Sequence, residues 1–160
     1  MADITPSGFE SQRDLAATTG DGLDMVISTG YVLFSMKGLS GAWNRQDLVF
    51  LVGPQWDFVQ LETTAVVSPS SMFNIRVANY AGWAVDRVDV KYYSETPGPP
   101  GVRVLLRCGL AVSDSDGILY RVNYHLTTIG RLASEPGVVL ARELTSAEDL
   151  IAAGGAEPAA

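Results

Sequence analysis

His125 is the only histidine in the chain and Cys108 the only cysteine. A lone histidine cannot build a multi-histidine metal site, and a nucleophile–histidine–carboxylate arrangement needs partners that only the fold can bring near it. Strand alternation puts His125 on the face opposite the aromatics of its own segment, with Leu105 across from it and Arg121 and Asn123 nearby. A surface or interface role is expected, and in a subunit contact its titration would make assembly follow pH. Cys108 lies in an alternating apolar run, the setting of a buried, inert thiol rather than a nucleophile, and a single cysteine excludes an internal disulfide.

The carboxylates are more numerous and less organised. Asp114-Ser115-Asp116-Gly117 has the alternating acids of a calcium-loop opening, but a complete loop needs further ligands and a glutamate at its twelfth position. Here the chain runs directly into Ile118-Leu119-Tyr120, and turn chemistry accounts for the same residues. Asp86 with Asp89, and Asp57 with Glu62, are spaced as acid–base pairs would be, and equally as acids on a solvated strand face are. No glycine cluster follows a strand and opens a helix, so phosphate-cradling loops are absent, and no cofactor is expected.

Trp43, Trp56 and Trp83 remain as recognition candidates. Trp56 follows Gly53-Pro54 and Trp83 follows Gly82, so both open strands, whereas Trp43 falls in a loop. They serve either as plugs at the ends of a β-structure or as sugar-stacking surfaces and subunit anchors, roles that favour tryptophan and arginine. Trp43-Asn44-Arg45-Gln46 sets an aromatic beside three hydrogen-bonding side chains. The interaction candidates are therefore Trp43, Asn44, Arg45, Trp83 and His125.

The elements that position these residues read as strands. Residues 25–36, MVISTGYVLFSM, are β-branched and aromatic with apolar groups on both faces, as in a central strand. A short strand is expected over residues 47–52, a long one over 55–67, and further strands over 73–77 and 83–93, separated by Gly53-Pro54, Ser68-Pro69 and Asn79 to Gly82. A β-bulge near Phe58–Val59 reconciles the change of phase in the second of these. Val102, Val104, Leu106, Cys108, Leu110 and Val112 share one face of the next run; Ile118, Tyr120, Val122, Tyr124 and Leu126 share one face of its successor. Paired as a hairpin with one dry face, they place 112 opposite 118 and 108 opposite 122. Val138 to Leu140 reads as a short edge strand, and Thr145-Ser146-Ala147-Glu148 is a capping box opening a helix that Gly154-Gly155 ends.

The expected architecture is all-β, an antiparallel β-sandwich or partly closed barrel of about seven to eight strands. Residues 1–23 would form an extended, flexible N-terminal arm with a nascent helix near 11–17 at most, 24–143 the β-domain, and 144–160 a short C-terminal helix and tail.

Composition narrows the partners. Charged residues make up only 18% of the chain, below the usual quarter, which favours a surface hidden in contacts. A net charge of −7 argues against nucleic acid, and no window reaches the roughly 18 apolar residues of a membrane span. Residues 1–6 lack the basic start and apolar run of a signal peptide, so cytoplasmic synthesis without one is expected. The arm and the proline-stiffened 95–101 loop are the expected contact elements of a homo-oligomer or larger assembly.

The segment Ile118-Leu119-Tyr120-Arg121-Val122-Asn123-Tyr124, continued by Thr128-Ile129-Gly130, resembles the closing strands of H-type lectin domains and related phage tail proteins. That resemblance implies a small trimeric β-sandwich that binds sugars or forms part of a virion. The tryptophan usual in that strand is missing, with His125 or Leu126 near its position, so no binding residue carries over. The expected function is a non-enzymatic structural or interaction protein, such as a capsid-decorating or tail component. Two alternatives are a carbohydrate-binding module and a β-barrel carrier or enzyme with an interior cavity.

Overall fold

Alternation of apolar and polar residues along the strands organises the interior. In the computed structural model, which describes residues 3, 4, 6–39, 41–73, 82–94, 101–113 and 117–133, the chain is all-β. The described residues form seven strands: β1 (Asp3–Ile4), β2 (Gly8–Thr18), β3 (Asp24–Lys37), β4 (Trp43–Phe73), β5 (Gly82–Tyr93), β6 (Val102–Ser113) and β7 (Ile118–Leu132). They form one open sheet in the order β2-β3-β7-β4-β6-β5, antiparallel throughout except that β1 lies parallel to β4. The sheet folds over on itself. Val32, Phe34 and Met36 of β3, Leu48, Phe50 and Val52 of β4, the even-numbered residues 104–112 of β6, and Leu119, Val122, Tyr124 and Leu126 of β7 fill one shared core.

That shared core corrects the expected hairpin. The β6 and β7 strands are not partners: β6 pairs with β4 and β5, and β7 pairs with β3 and β4. Val112 lies opposite Asn44 and Trp83, and Ile118 opposite Lys37 and Phe73. Cys108 lies opposite Leu48 and Val88, and Val122 opposite Val32 and Pro69. Cys108 and Val122 still share the dry interior, both fully buried, but they meet it from facing layers. Hydrophobic parity states which side of a strand is dry; an arch between two layers satisfies it as well as a hairpin does.

The fold-over is made by β4, a strand of 31 residues. Its first part, from Trp43 to Val52, pairs with β6, and its second, from Trp56 to Phe73, pairs with β7; Trp56 is opposite both Val102 and Leu132. Gly53 takes φ 74°, a left-handed conformation favouring glycine, so Gly53-Pro54 turns the strand through a corner instead of reversing the chain. The segment expected as a loop with Trp43 inside it is thus the start of this strand, and Ser68-Pro69 continues it. Proline is tolerated there because this part of β4 pairs on one side only. The expected bulge is present: the register shifts between Asp57 and Glu62, where Gln60 has φ 55°. At the opposite rim, the Tyr92 hydroxyl of β5 donates to the Leu61 carbonyl at 3.3 Å, and Phe58 meets the Tyr92 ring edge-on at 5.8 Å between centroids.

The N-terminal residues also depart from expectation. Instead of a free arm or nascent helix, residues 8–18 pair antiparallel with β3, from Gly8 opposite Leu33 to Thr18 opposite Asp24. β1 pairs with β4 and inserts Ile4 into the core. The expected strand at 138–140, the C-terminal helix and the calcium-like acids Asp114 and Asp116 lie outside the described residues, as do residues 95–100 of the proline-rich loop.

The corner is tightly clamped. Trp56 is fully buried; a Cβ on Gly101, where φ is +118°, would sit 2.7 Å from the Trp56 carbonyl oxygen, and one on Gly130 would sit 3.3 Å from its ring. Trp56→Ala is therefore expected to cost about 3–5 kcal/mol in urea unfolding. Gly101→Ala is expected to destabilise through both backbone strain and contact. An unfolding midpoint within error of wild type for both variants would show that the corner is not under this constraint.

Candidate functional site

The most organised polar cluster lies on the outer face of the β4-β6-β5 layer. Asp47 points away from the core yet its side chain is only 2% exposed, because two arginines close over it. Arg107 of β6 donates from Nε and Nη2 to Asp47 Oδ2 at 3.0 and 2.7 Å. Arg87 of β5 donates from Nη2 to Asp47 Oδ1 and Oδ2 at 3.2 and 3.1 Å. Between them stands Gly109, whose missing side chain leaves room: a Cβ there would lie 3.4 Å from Arg87 Cβ and 3.5 Å from Asp47 Oδ1. Asp3 of β1 approaches Arg107 at 3.7 Å, and Asp89 pairs with Arg87 at 2.8 Å. Four strands are thus clasped through one carboxylate.

Chemically this is a closed network. Both Asp47 oxygens already accept charge-assisted hydrogen bonds from Arg87 and Arg107, so the carboxylate is fully engaged within the sheet face. Among the described residues, no group of three or more His, Cys, Asp or Glu side chains is arranged to hold a metal ion. The other acidic pairs separate as well. Asp86 binds Arg45 at 3.0 Å and Asp89 binds Arg87, while Asp57 and Glu62 stand on either side of the bulge.

The residues singled out in the sequence occupy three different places. Trp43 and Arg45 open β4 on the outer face. The Trp43 ring reaches across Ser113 to lie against Gly82, where a Cβ would meet it at 2.9 Å, and the residue remains 47% exposed. Asn44 faces the other way, and its Nδ2 donates to the Lys37 carbonyl at 2.6 Å, tying β4 to β3 at the open end of the layers. Trp83 flanks Val112 opposite Asn44, so the sheet separates it from Trp43. It is 49% exposed, whereas Trp56 is the one tryptophan that plugs the core.

His125 lies in the other layer, exposed, between Thr29 of β3 and Val66 of β4. The expected neighbour Leu105 instead sits opposite Leu51 and Lys91, because β6 and β7 do not pair. Arg121 shares the His125 face, with its guanidinium 5.1 Å from the Tyr31 ring centre and its Nε donating to Ser70 Oγ at 2.7 Å.

Sequence reasoning passes over the Asp47 clasp. Its signal is an acid at an odd position of one strand and arginines at odd positions of two others, and these align only once the register is known. No known protein family, curated protein or solved structure matches the chain.

Cys108 behaves as its alternating setting implies: it is fully buried, and burial, aided by the charges of Asp89 and Asp47, pushes its thiol up from 9.0 to about 12. Burial likewise raises the Tyr124 hydroxyl above its usual value of 10.0. The native state keeps the Cys108 proton to about pH 12, whereas the unfolded chain releases it near 9.0, so between these values the unfolded state binds fewer protons. Stability should therefore fall as pH rises through this window, by at most about 1.4 kcal/mol per pH unit for Cys108. Denaturant titrations of wild type and Cys108→Ala check this: a slope unaltered by the substitution would contradict it. A thiol reagent should modify native Cys108 only as fast as the protein unfolds.

Proposed function

We propose that this protein is a non-enzymatic structural or interaction component that works as a homo-oligomer or within a larger assembly, such as the capsid-decorating or tail part of a virion. The observation that carries this reading is the outer face of the β2-β3-β7-β4 layer. Three successive cross-strand rows run over it: Ala17, Met25, Ile129 and Glu62; Leu15, Ile27, Thr127 and Thr64; Arg13, Thr29, His125 and Val66. Leu15 is 69% exposed and Val66 66%, with Met25, Ile27 and Ile129 half-buried beside them. Contiguous apolar surface on a sheet face is the usual mark of a contact surface, and few charges interrupt it, as in interface centres.

The expected result is a particle heavier than the 17.1 kDa chain by light scattering at micromolar concentration, shifted toward the monomer by Val66→Glu. A 17.1 kDa species at every concentration would sink the reading.

A second reading, carbohydrate binding, is favoured by Trp43: an indole nearly half exposed, its outer edge against Gly82 and followed on the same face by the Arg45–Asp86 pair. Such an aromatic with hydrogen-bonding groups beside it suits the apolar face and hydroxyl rim of a sugar ring. Titration with mono- and oligosaccharides should then change tryptophan emission in the wild type and leave Trp43→Ala unchanged. Silence on a glycan array, with no emission change in the wild type, removes this reading.

A further inference from the structure

We infer that β2 is a self-pairing edge, through which a second copy of this chain extends the sheet about a two-fold axis at Leu15. The inference rests on the reading of the protein as an assembling component and names the partner of one surface.

Three observations carry it. First, among the described residues β2 ends the strand order and pairs only with β3, in unbroken register from Arg13 opposite Thr29 to Thr18 opposite Asp24. No described strand takes up the backbone groups on its far side, which form a ladder edge. Second, every residue from Arg13 to Thr18 is exposed, on the inner and the outer face alike. Among the described residues, none of the opposite layer covers this strand, although it is hydrogen-bonded into the sheet. Third, the protection of this edge is slight: residues 13–18, RDLAAT, hold no lysine, proline or bulge, their only charges are Arg13 and Asp14 at one end, and the bulge of β2 falls before them, between Glu10 and Arg13.

The sequence of this edge is complementary to itself in one register above others. A two-fold axis perpendicular to the sheet pairs two copies of β2 antiparallel and preserves their faces, so a residue at the axis must face its own copy. Centred on Arg13 or Asp14, the pairing sets like charges directly opposite each other, which is unfavourable. Centred on Leu15, it sets leucine against leucine, Arg13 against Ala17, Asp14 against Ala16 and Gln12 against Thr18. Centring on Ala16 also avoids like charges but shortens the overlap and parts the two leucines. The Leu15 register continues the row of Leu15, Ile27, Thr127 and Thr64 across both copies, and it buries the most exposed large apolar side chain among the described residues.

The test uses the full chain with substitutions at exposed positions that do not contribute to the core. Cross-strand neighbours at the axis fall within disulfide reach, so Leu15→Cys should form a disulfide-linked dimer under mild oxidation, whereas Arg13→Cys, whose partner is Ala17, should not. The native Cys108 is buried and does not compete. Ala17→Arg creates two symmetry-related like-charge pairs with Arg13 and should weaken the dimer roughly tenfold, and Ala17→Asp should tighten it by a similar factor. An oligomer whose mass ignores both Ala17 variants, with no Leu15→Cys cross-link, overturns the edge pairing and leaves the assembly reading standing. A monomer under all conditions overturns both.

Discussion

The structure depends on one strand serving two layers. β4 enters the β4-β6-β5 layer at Trp43, turns the corner at Gly53, and continues in the β2-β3-β7-β4 layer from Trp56. Because the same backbone is hydrogen-bonded on both sides of the corner, the two layers cannot slide or separate without breaking a continuous ladder. Trp56 is the pivot: opposite Val102 on one strand and Leu132 on another, it is fully buried between glycines 101 and 130, which leave its ring and carbonyl the space they need. The core then follows, since even-numbered residues 104–112 of β6 and 122–126 of β7, with Leu119, project inward from facing sheets.

The alternation of side chains was readable in the sequence to that extent and no further. Period two assigns each residue to a wet or a dry face: of the dry set named for β6, Val104 to Val112 are buried and Val102 only partly so. In β7, Val122, Tyr124 and Leu126 are buried, but Leu119 takes the core position expected of Ile118 and Tyr120, because the register is irregular there against both β3 and β4. What alternation does not carry is the identity of the neighbouring strand. An arch and a hairpin place Cys108 and Val122 in the same interior, and only the hydrogen-bond ladder distinguishes them. The corner was visible as Gly53-Pro54, but the same dipeptide opens a chain reversal and a strand bend. β2 escaped for the opposite reason: exposed on both faces, it needs no hydrophobic period, and its 13–18 stretch looks like an arm until β3 is found beside it.

The candidate site was legible only residue by residue. Cys108 and Trp56 are buried, as alternation and the corner dictate, and Trp43, Trp83 and His125 are exposed; but the sheet parts Trp43 from Trp83, and His125 stands in the other layer. A sequence neighbourhood such as Trp43-Asn44-Arg45 does not survive as a spatial one in a strand, because adjacent side chains go to opposite faces. The Asp47 clasp shows the reverse: residues 40 and 60 positions away become partners of one carboxylate because they stand opposite or beside it in register.

This distribution of charge bears on what the surface is for. A chain with few charged residues spends Asp3, Asp47, Arg87, Asp89 and Arg107 on one clasp, and Arg45 and Asp86 on a pair beside it, all on the outside of one layer. Such ion pairs hold strands in register more than they add stability, since desolvation offsets much of their attraction. The cost of concentrating them there is a sparsely charged outer face on the other layer, where Leu15 and Val66 lie open to solvent. The two layers therefore have different outward characters from the same constraint. One is closed by ion pairs and leaves Trp43 at its margin; the other presents an apolar β-surface with Arg13, Glu62 and Arg121 at its borders, ending in a lightly protected edge, an arrangement suited to contact with another protein surface.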